Sequence, residues 1–216
     1  MNSMAKPISA LSAPVTPIST KNREMIHKPF VQPLPPPRAS PALVVLSGLP
    51  GSGKSYFCRR LASRHPLACL ESDALRKALF GQPTYCAEES RRLFSACHLV
   101  LSRLLTRRIA AIFDATNLRE IHRRQVYRIA DKHEAKLILV HLQASPPVVH
   151  ERLEARAKGL HSQNLSDAGP EVYERMQRDV EPIGRPHISV DTSADIEPAI
   201  AAILRQLEEP RPTRGC

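Results

Sequence analysis

Ala42-Leu43-Val44-Val45-Leu46-Ser47-Gly48-Leu49-Pro50-Gly51-Ser52-Gly53-Lys54-Ser55 is the stretch around which the rest of the chain can be read. Its first half is a run of β-formers without a polar interruption, the signature of a strand buried on both faces. Its second half fits G-x-x-x-x-G-K-[ST] at Gly48, Gly53, Lys54 and Ser55, with Leu49, Pro50, Gly51 and Ser52 between. Glycines let such a loop wrap closely around phosphates with its amide hydrogens pointing inward. In this pattern the lysine places a point charge on the β and γ phosphates, and the serine hydroxyl is offered to Mg²⁺. Beyond Tyr56 an apolar-periodic helix continues through Phe57, Leu61 and Ala62, and its positive end adds to the same site.

Outward from this stretch, strands alternate with helices. The pattern predicts strands at 43–47, 68–71, 110–113, 136–142 and 187–190. It predicts helices at 54–64, 72–79, 87–107, 119–133, 146–158, 170–180 and 197–208. Ser72-Asp73 is expected to cap the second of these. Leu93, Ala96, Cys97, Val100, Leu101 and Leu104 mark the buried face of the third. Alternation with continuously apolar strands implies an α/β fold, a five-stranded parallel sheet covered on both faces. In such sheets ligands bind beyond the carboxyl ends of the strands.

The chain has 216 residues, enough for one domain, expected at 41–208, with tails at 1–40 and 209–216. Eight prolines in residues 1–40, including Pro35-Pro36-Pro37, oppose regular structure there, and a disordered or polyproline II segment is expected. The formal net charge of +10 suits an acidic partner or simple solubility. Five cysteines, an odd number without metal-ligand spacing, suggest a reduced, cytoplasmic protein. No apolar run reaches the roughly 18 residues of a membrane span. A monomer or homodimer without membrane attachment is expected.

Three polar groups stand where strands end. Asp73 and Arg76 lie three apart on a helix, so they share a face. One reading makes Asp73 a base for an attacking hydroxyl and Arg76 a holder of an anionic group; the other makes them a helix cap and a surface cation. Asp114 ends the third strand, where it could hold a Mg²⁺-bound water or orient an acceptor. The next residue is Ala115, so the Asp-Glu pair of motor and transporter ATPases is missing. The Asn-Lys-x-Asp guanine reader is missing as well, and both absences count against a GTPase switch or a mechanical ATPase. Arg152 and Arg156 lie four apart, either as lid cations or as partners of Glu151 and Glu154. Arg119, Arg123, Arg124 and Arg128 form either a nucleic-acid track or a solvated face.

GLPGSGKS at 48–55, ESDALR at 71–76, DATNL at 114–118, ERLEARAKG at 151–159 and SDAGPEVYERMQRDVEP at 166–182 together resemble the P-loop kinases. The resemblance is to the group that includes the 5′-kinase domain of phage polynucleotide kinase and similar bacterial ATP-binding proteins of the AAA_33 type. Zeta-toxin-type and chloramphenicol-phosphotransferase-type kinases look like more distant relatives. The resemblance implies the strand order 2-3-1-4-5 with a helical lid, ATP bound along 48–56, and Mg²⁺ at Ser55 and Asp114. It implies Asp73 as general base, Arg76, Asp114 and Asn117 on the acceptor, and Arg152 and Arg156 as lid arginines assisting Lys54. The function so implied is ATP-dependent phosphotransfer to a hydroxyl of a small molecule, a nucleotide or a polynucleotide. The alternatives are a non-catalytic ATP-binding module with a tail that recruits nucleic acid or protein, and a kinase of sugar nucleotides.

Overall fold

The computed structural model describes residues 34–158 and 169–209. Its centre is strand β1 (Ala42–Ser47), buried at all six positions because both faces carry apolar side chains. β1 pairs in parallel with β3 (Ala111–Asp114) on one side and β4 (Lys136–Gln143) on the other. β2 (Ala68–Glu71) and β5 (Ile188–Asp191) form the edges, so the order is β2-β3-β1-β4-β5, as expected.

Alternate residues of β1 serve two cores. Leu43 and Val45 pack with the apolar faces of α3 (Ala87–Thr106) and α4 (Glu120–Lys132). Val44 and Leu46 pack with Phe57, Cys58 and Leu61 of α1 (Lys54–Ala62) and with Ile200, Ile203 and Leu207 of α7 (Glu197–Glu208). The period of two along the strand thus builds a three-layer sandwich. A separate small cluster, Val149, Leu153 and Tyr173, joins α5 (Pro146–Ala157) to α6 (Pro170–Gln177).

Element boundaries differ from the sequence reading by up to three residues, and two differences matter. β3 extends one residue further, which brings Asp114 into the ladder beside Leu46. α2 (Ser72–Phe80) begins after Glu71, with no side-chain cap hydrogen bond, so the expected Ser72-Asp73 cap is not formed and Asp73 sits in the first helical turn. Contacts of the folded part also reach back before residue 41. Leu34 packs against the main core, the Arg38 amide donates to the Arg108 carbonyl at 2.9 Å, and its guanidinium donates to the Leu207 carbonyl at 3.1 Å. Leu34 and Arg38 thus contact the folded part, while residues 1–33 and 210–216 of the expected tails and the segment 159–168 lie outside the described residues.

Candidate active site

The loop after β1 is shaped by close approach. A Cβ at Gly48 would stand 2.3 Å from the Leu142 carbonyl oxygen on β4, too close for any side chain. Gly53, at φ 83°, is left-handed, and its missing Cβ makes room for Thr192, whose Oγ1 would be 2.9 Å away. Thr192 follows β5 and donates through that hydroxyl to the Ser52 carbonyl at 3.1 Å. Arg152 of α5 completes the brace. Its Nη1 donates to Thr192 Oγ1 at 2.8 Å and to the Gly51 carbonyl at 3.2 Å, and its Nη2 donates to the Thr192 carbonyl at 2.8 Å. The loop is thereby held from the far end of the chain.

Lys54 lies inside the loop, and its Nζ donates to the carbonyls of Gly48 and Leu49 at 2.9 and 2.8 Å. Burial lowers its pKa, Asp114 and Asp73 push it back up, and Arg156 lowers it again. Asp114 is buried at the end of β3. Burial raises its carboxyl, while Lys54 and a hydrogen bond from Ser55 lower it, and Asp73 adds to the rise. Glu71 is raised by burial first, then by Asp114 and Asp73, with Arg59 opposing. Three carboxylates and the cations Lys54, Arg59 and Arg156 therefore share one electrostatic cluster beyond the carboxyl ends of β1, β2 and β3. The Ser55 hydroxyl and the Asp114 carboxylate are two adjacent hard oxygens beside the loop. That donor set fits Mg²⁺, which takes one or two protein oxygens and completes its shell with phosphate and water.

Gly51, Gly53, Lys54, Ser55, Arg59, Glu71, Asp73, Asp114, Arg152 and Arg156 line one cleft of about 790 Å³, whereas Thr192 is not part of its wall. Tyr85, Phe94, Leu118, His122, Val172 and Met176 are also part of its wall, together with Arg119 and Arg175. The Phe94 and His122 rings stack at 5.7 Å with 25° between their planes. Arg76 lines the cleft as expected, but its charge is already matched: it is ion-paired to buried Glu89 and lies 4.8 Å from the Tyr85 ring centroid. Asn117 stands apart from the cleft. It is absent from the cleft wall, buried at φ 45°, and its Nδ2 donates to the Leu46 carbonyl at 2.7 Å. It staples the loop after β3 to the end of β1.

The family profile AAA_33, described as an AAA domain, matches residues 43–183, more than half of the chain. The chain belongs to the AAA_33 family. No curated protein matches it. Among solved structures it is similar to a kinase candidate from Chloroflexus aurantiacus J-10-fl, at 22% identity and TM-score 0.62, over 78% of this chain and 100% of that one. It is similar to the Mycobacterium tuberculosis APS kinase CysC in complex with AMPPNP and APS, at 17% identity and TM-score 0.56, over 81% and 100%. It is also similar to Chaetomium thermophilum Kti12 in complex with ADP-AlF3, at 19% identity and TM-score 0.58, over 76% and 96%. These likenesses show a P-loop kinase fold.

In this AAA_33 chain the fold brings together most of the polar groups that the sequence singled out: Lys54, Ser55, Tyr56, Asp73, Arg76, Asp114, Arg152 and Arg156 all reach the cleft. The sequence reading passed over Glu71, Arg59, Thr192 and the aromatic wall. Glu71 carried a signal, since it is the last residue of a strand in a sheet that binds ligands at that end. Thr192 carried none, because its partner Ser52 is 140 residues away. Of the four arginines read as a track or a solvated face, Arg123 leaves the surface: it is 1% exposed, the largest fully buried side chain among the described residues, while Arg119, Arg124 and Arg128 are exposed.

Proposed function

We propose that the chain is an ATP-dependent phosphotransferase that moves the γ-phosphoryl group to a hydroxyl acceptor. One observation carries the reading: Lys54, Asp73 and Asp114 act on one another within a single cleft that opens at a phosphate-type loop. ATP phosphates lie along 48–56, and Lys54 turns its three donors from loop carbonyls toward phosphate oxygens. Ser55 and Asp114 would hold Mg²⁺, which would supply charge neutralisation for the phosphates. Asp73, in the first turn of α2, accepts the proton of the acceptor hydroxyl. Arg156, close enough to Lys54 to oppose its charge, adds a second cation at the phosphoryl group. Arg152 acts through the loop that it braces.

The wall beyond Asp73 supports an acceptor with a flat face and negative charge. Tyr85 and the stacked Phe94–His122 pair offer ring faces, and Arg175, with Arg119 beside its ion-pair partner Glu181, brings positive charge. Such an acceptor has the chemistry of a nucleotide more than that of a polyol, which asks for many hydroxyl-binding carboxylates and amides.

A transfer screen with ATP labelled in the γ-phosphate, run over nucleosides, nucleotides, oligonucleotide ends, sugars and aminoglycosides, tests this. Transfer is expected to a ring-bearing acceptor, and Lys54→Ala is expected to cut turnover at least about a hundredfold, the scale for losing one preorganised charge. Turnover equal to wild type in Lys54→Ala overturns the assignment. ATP binding with transfer to no acceptor points instead to a non-catalytic module.

A further inference from the structure

Arg123 is a cation that the phosphotransfer reading does not use, yet it is the most completely satisfied polar side chain on α4. A guanidinium carries five N–H donors. Nε donates to Glu120 Oε2 at 3.0 Å. Nη1 donates to the carbonyls of Asn117 at 3.0 Å and Leu118 at 2.6 Å. Nη2 donates to the carbonyls of Glu181 at 3.0 Å and Pro182 at 2.6 Å. Two chain segments far apart in sequence meet on one buried group.

These segments are the two approaches to the acceptor side of the cleft. Asn117 and Leu118 lead from β3 into α4, where Leu118, Arg119 and His122 line the cleft. Glu181 and Pro182 follow α6, and Val172, Arg175, Met176 and Asp179 of that region line the cleft too. A backbone bond from the Glu181 amide to the Leu118 carbonyl, at 3.0 Å, and one from the Glu120 amide to Glu181 Oε2, at 2.7 Å, run beside the arginine. None of the Arg123 hydrogen bonds reaches residues 48–56.

We propose that Arg123 is a positioning residue that fixes the α6 wall of the acceptor site against the β3–α4 loop; this rests on the phosphotransfer reading for the identity of the acceptor site. Docking of α4 does not require it, because Val126, Tyr127 and Ala130 already bind that helix to the main core. What Arg123 adds is the tie to residues 181–182. Only a planar fork can serve four carbonyls arranged on two sides, and a lysine, with its donors on one atom, cannot span them.

Arg123→Lys and Arg123→Met are compared with Val126→Ala, a core truncation on the same helix. Two quantities are read: KM for the acceptor against KM for ATP, and deuterium exchange along the chain. In both Arg123 variants the acceptor KM is expected to rise about tenfold to a hundredfold, with the ATP KM changed by less than about twofold, the scale of a misplaced substrate contact. Exchange is expected to quicken over residues 170–182, the Glu181 amide included, and to stay unchanged over 42–55. Val126→Ala is expected to lower the melting temperature without this split. The proposal is overturned if both KM values move together, if Val126→Ala at matched stability gives the same split, or if Arg123→Lys leaves exchange over 170–182 as in wild type. Should Arg123→Met fail to fold, Arg123→Lys decides. Should wild type transfer phosphate to no acceptor, the phosphotransfer reading fails by itself, and the exchange pattern decides whether Arg123 ties the two segments.

Discussion

Asp73 shows how a single side chain acquires a role from its place. A carboxylate in the first turn of a helix is ordinarily a cap, and the dipole there favours its charge. Here the helix starts without a side-chain cap, and the carboxylate faces a cleft with Lys54 and Asp114 instead. Asp73→Asn keeps the shape and removes the basicity. It is expected to slow phosphotransfer by about a hundredfold to ten-thousandfold, the range for losing general base catalysis, with ATP affinity retained. Titration of ATP against the variant by calorimetry checks the second half. Loss of ATP binding would make Asp73 a metal ligand or a structural group. Arg152 and Asn117 make a complementary point, since their side chains donate to backbone carbonyls of the loop, of Thr192 and of β1.

Between elements, the junction of α2 and α3 rests on a buried ion pair. Arg76 of α2 meets Glu89 of α3, and the Thr84 amide and hydroxyl donate to the same carboxylate at 2.7 and 2.9 Å. Burial works against the charged carboxylate, but the Thr84 amide, Arg76 and the Thr84 hydroxyl outweigh it and bring its pKa from 4.5 down to about 2. The folded pKa lies below the unfolded one, so this contribution to stability is full above pH 4.5 and is lost as the pH falls toward 2. Wild type is expected to lose stability across that interval, and Glu89→Gln is expected to be less stable at neutral pH but flatter through the acid range. Chemical denaturation followed at several pH values between 2 and 7 checks this; a Gln variant with an acid profile as steep as that of wild type would contradict it. The long helix behind the pair could be read from its apolar period, and all six residues of the predicted face are buried. The pair itself could not, because Arg76 and Glu89 are on different helices and only the turn at Gly81–Cys86 brings them together.

For the whole molecule, the boundary of the domain is the testable matter. A chain beginning at residue 34 keeps Leu34 on the core and the Arg38 bonds to Arg108 and Leu207, and is expected to melt as the full chain does. A chain beginning at residue 41 loses them and is expected to melt at least about 3 °C lower, the shift for roughly one kcal/mol in a domain of this size. Thermal unfolding of the two truncations checks this, and equal melting temperatures would return residues 34–40 to the tail. The sequence by itself determined the layered parallel sheet, because a strand apolar on both faces can be buried only between helices, and it determined the phosphate loop, whose residues are consecutive. It also placed Asp73 and Asp114 at strand ends. Only the tertiary structure decided which polar groups stay open to a ligand. Arg76, Arg123, Arg152 and Asn117 look alike in sequence as polar residues near strand ends, yet each has a partner between 13 and 101 positions away, and Arg123 adds the carbonyls 58 and 59 positions on to its nearby partners. Hydrogen-bond partners that distant leave no local pattern. The opening stretch is accordingly legible down to its lysine, while the brace that holds it, from Thr192 and Arg152, exists only once the last strand has paired with β4.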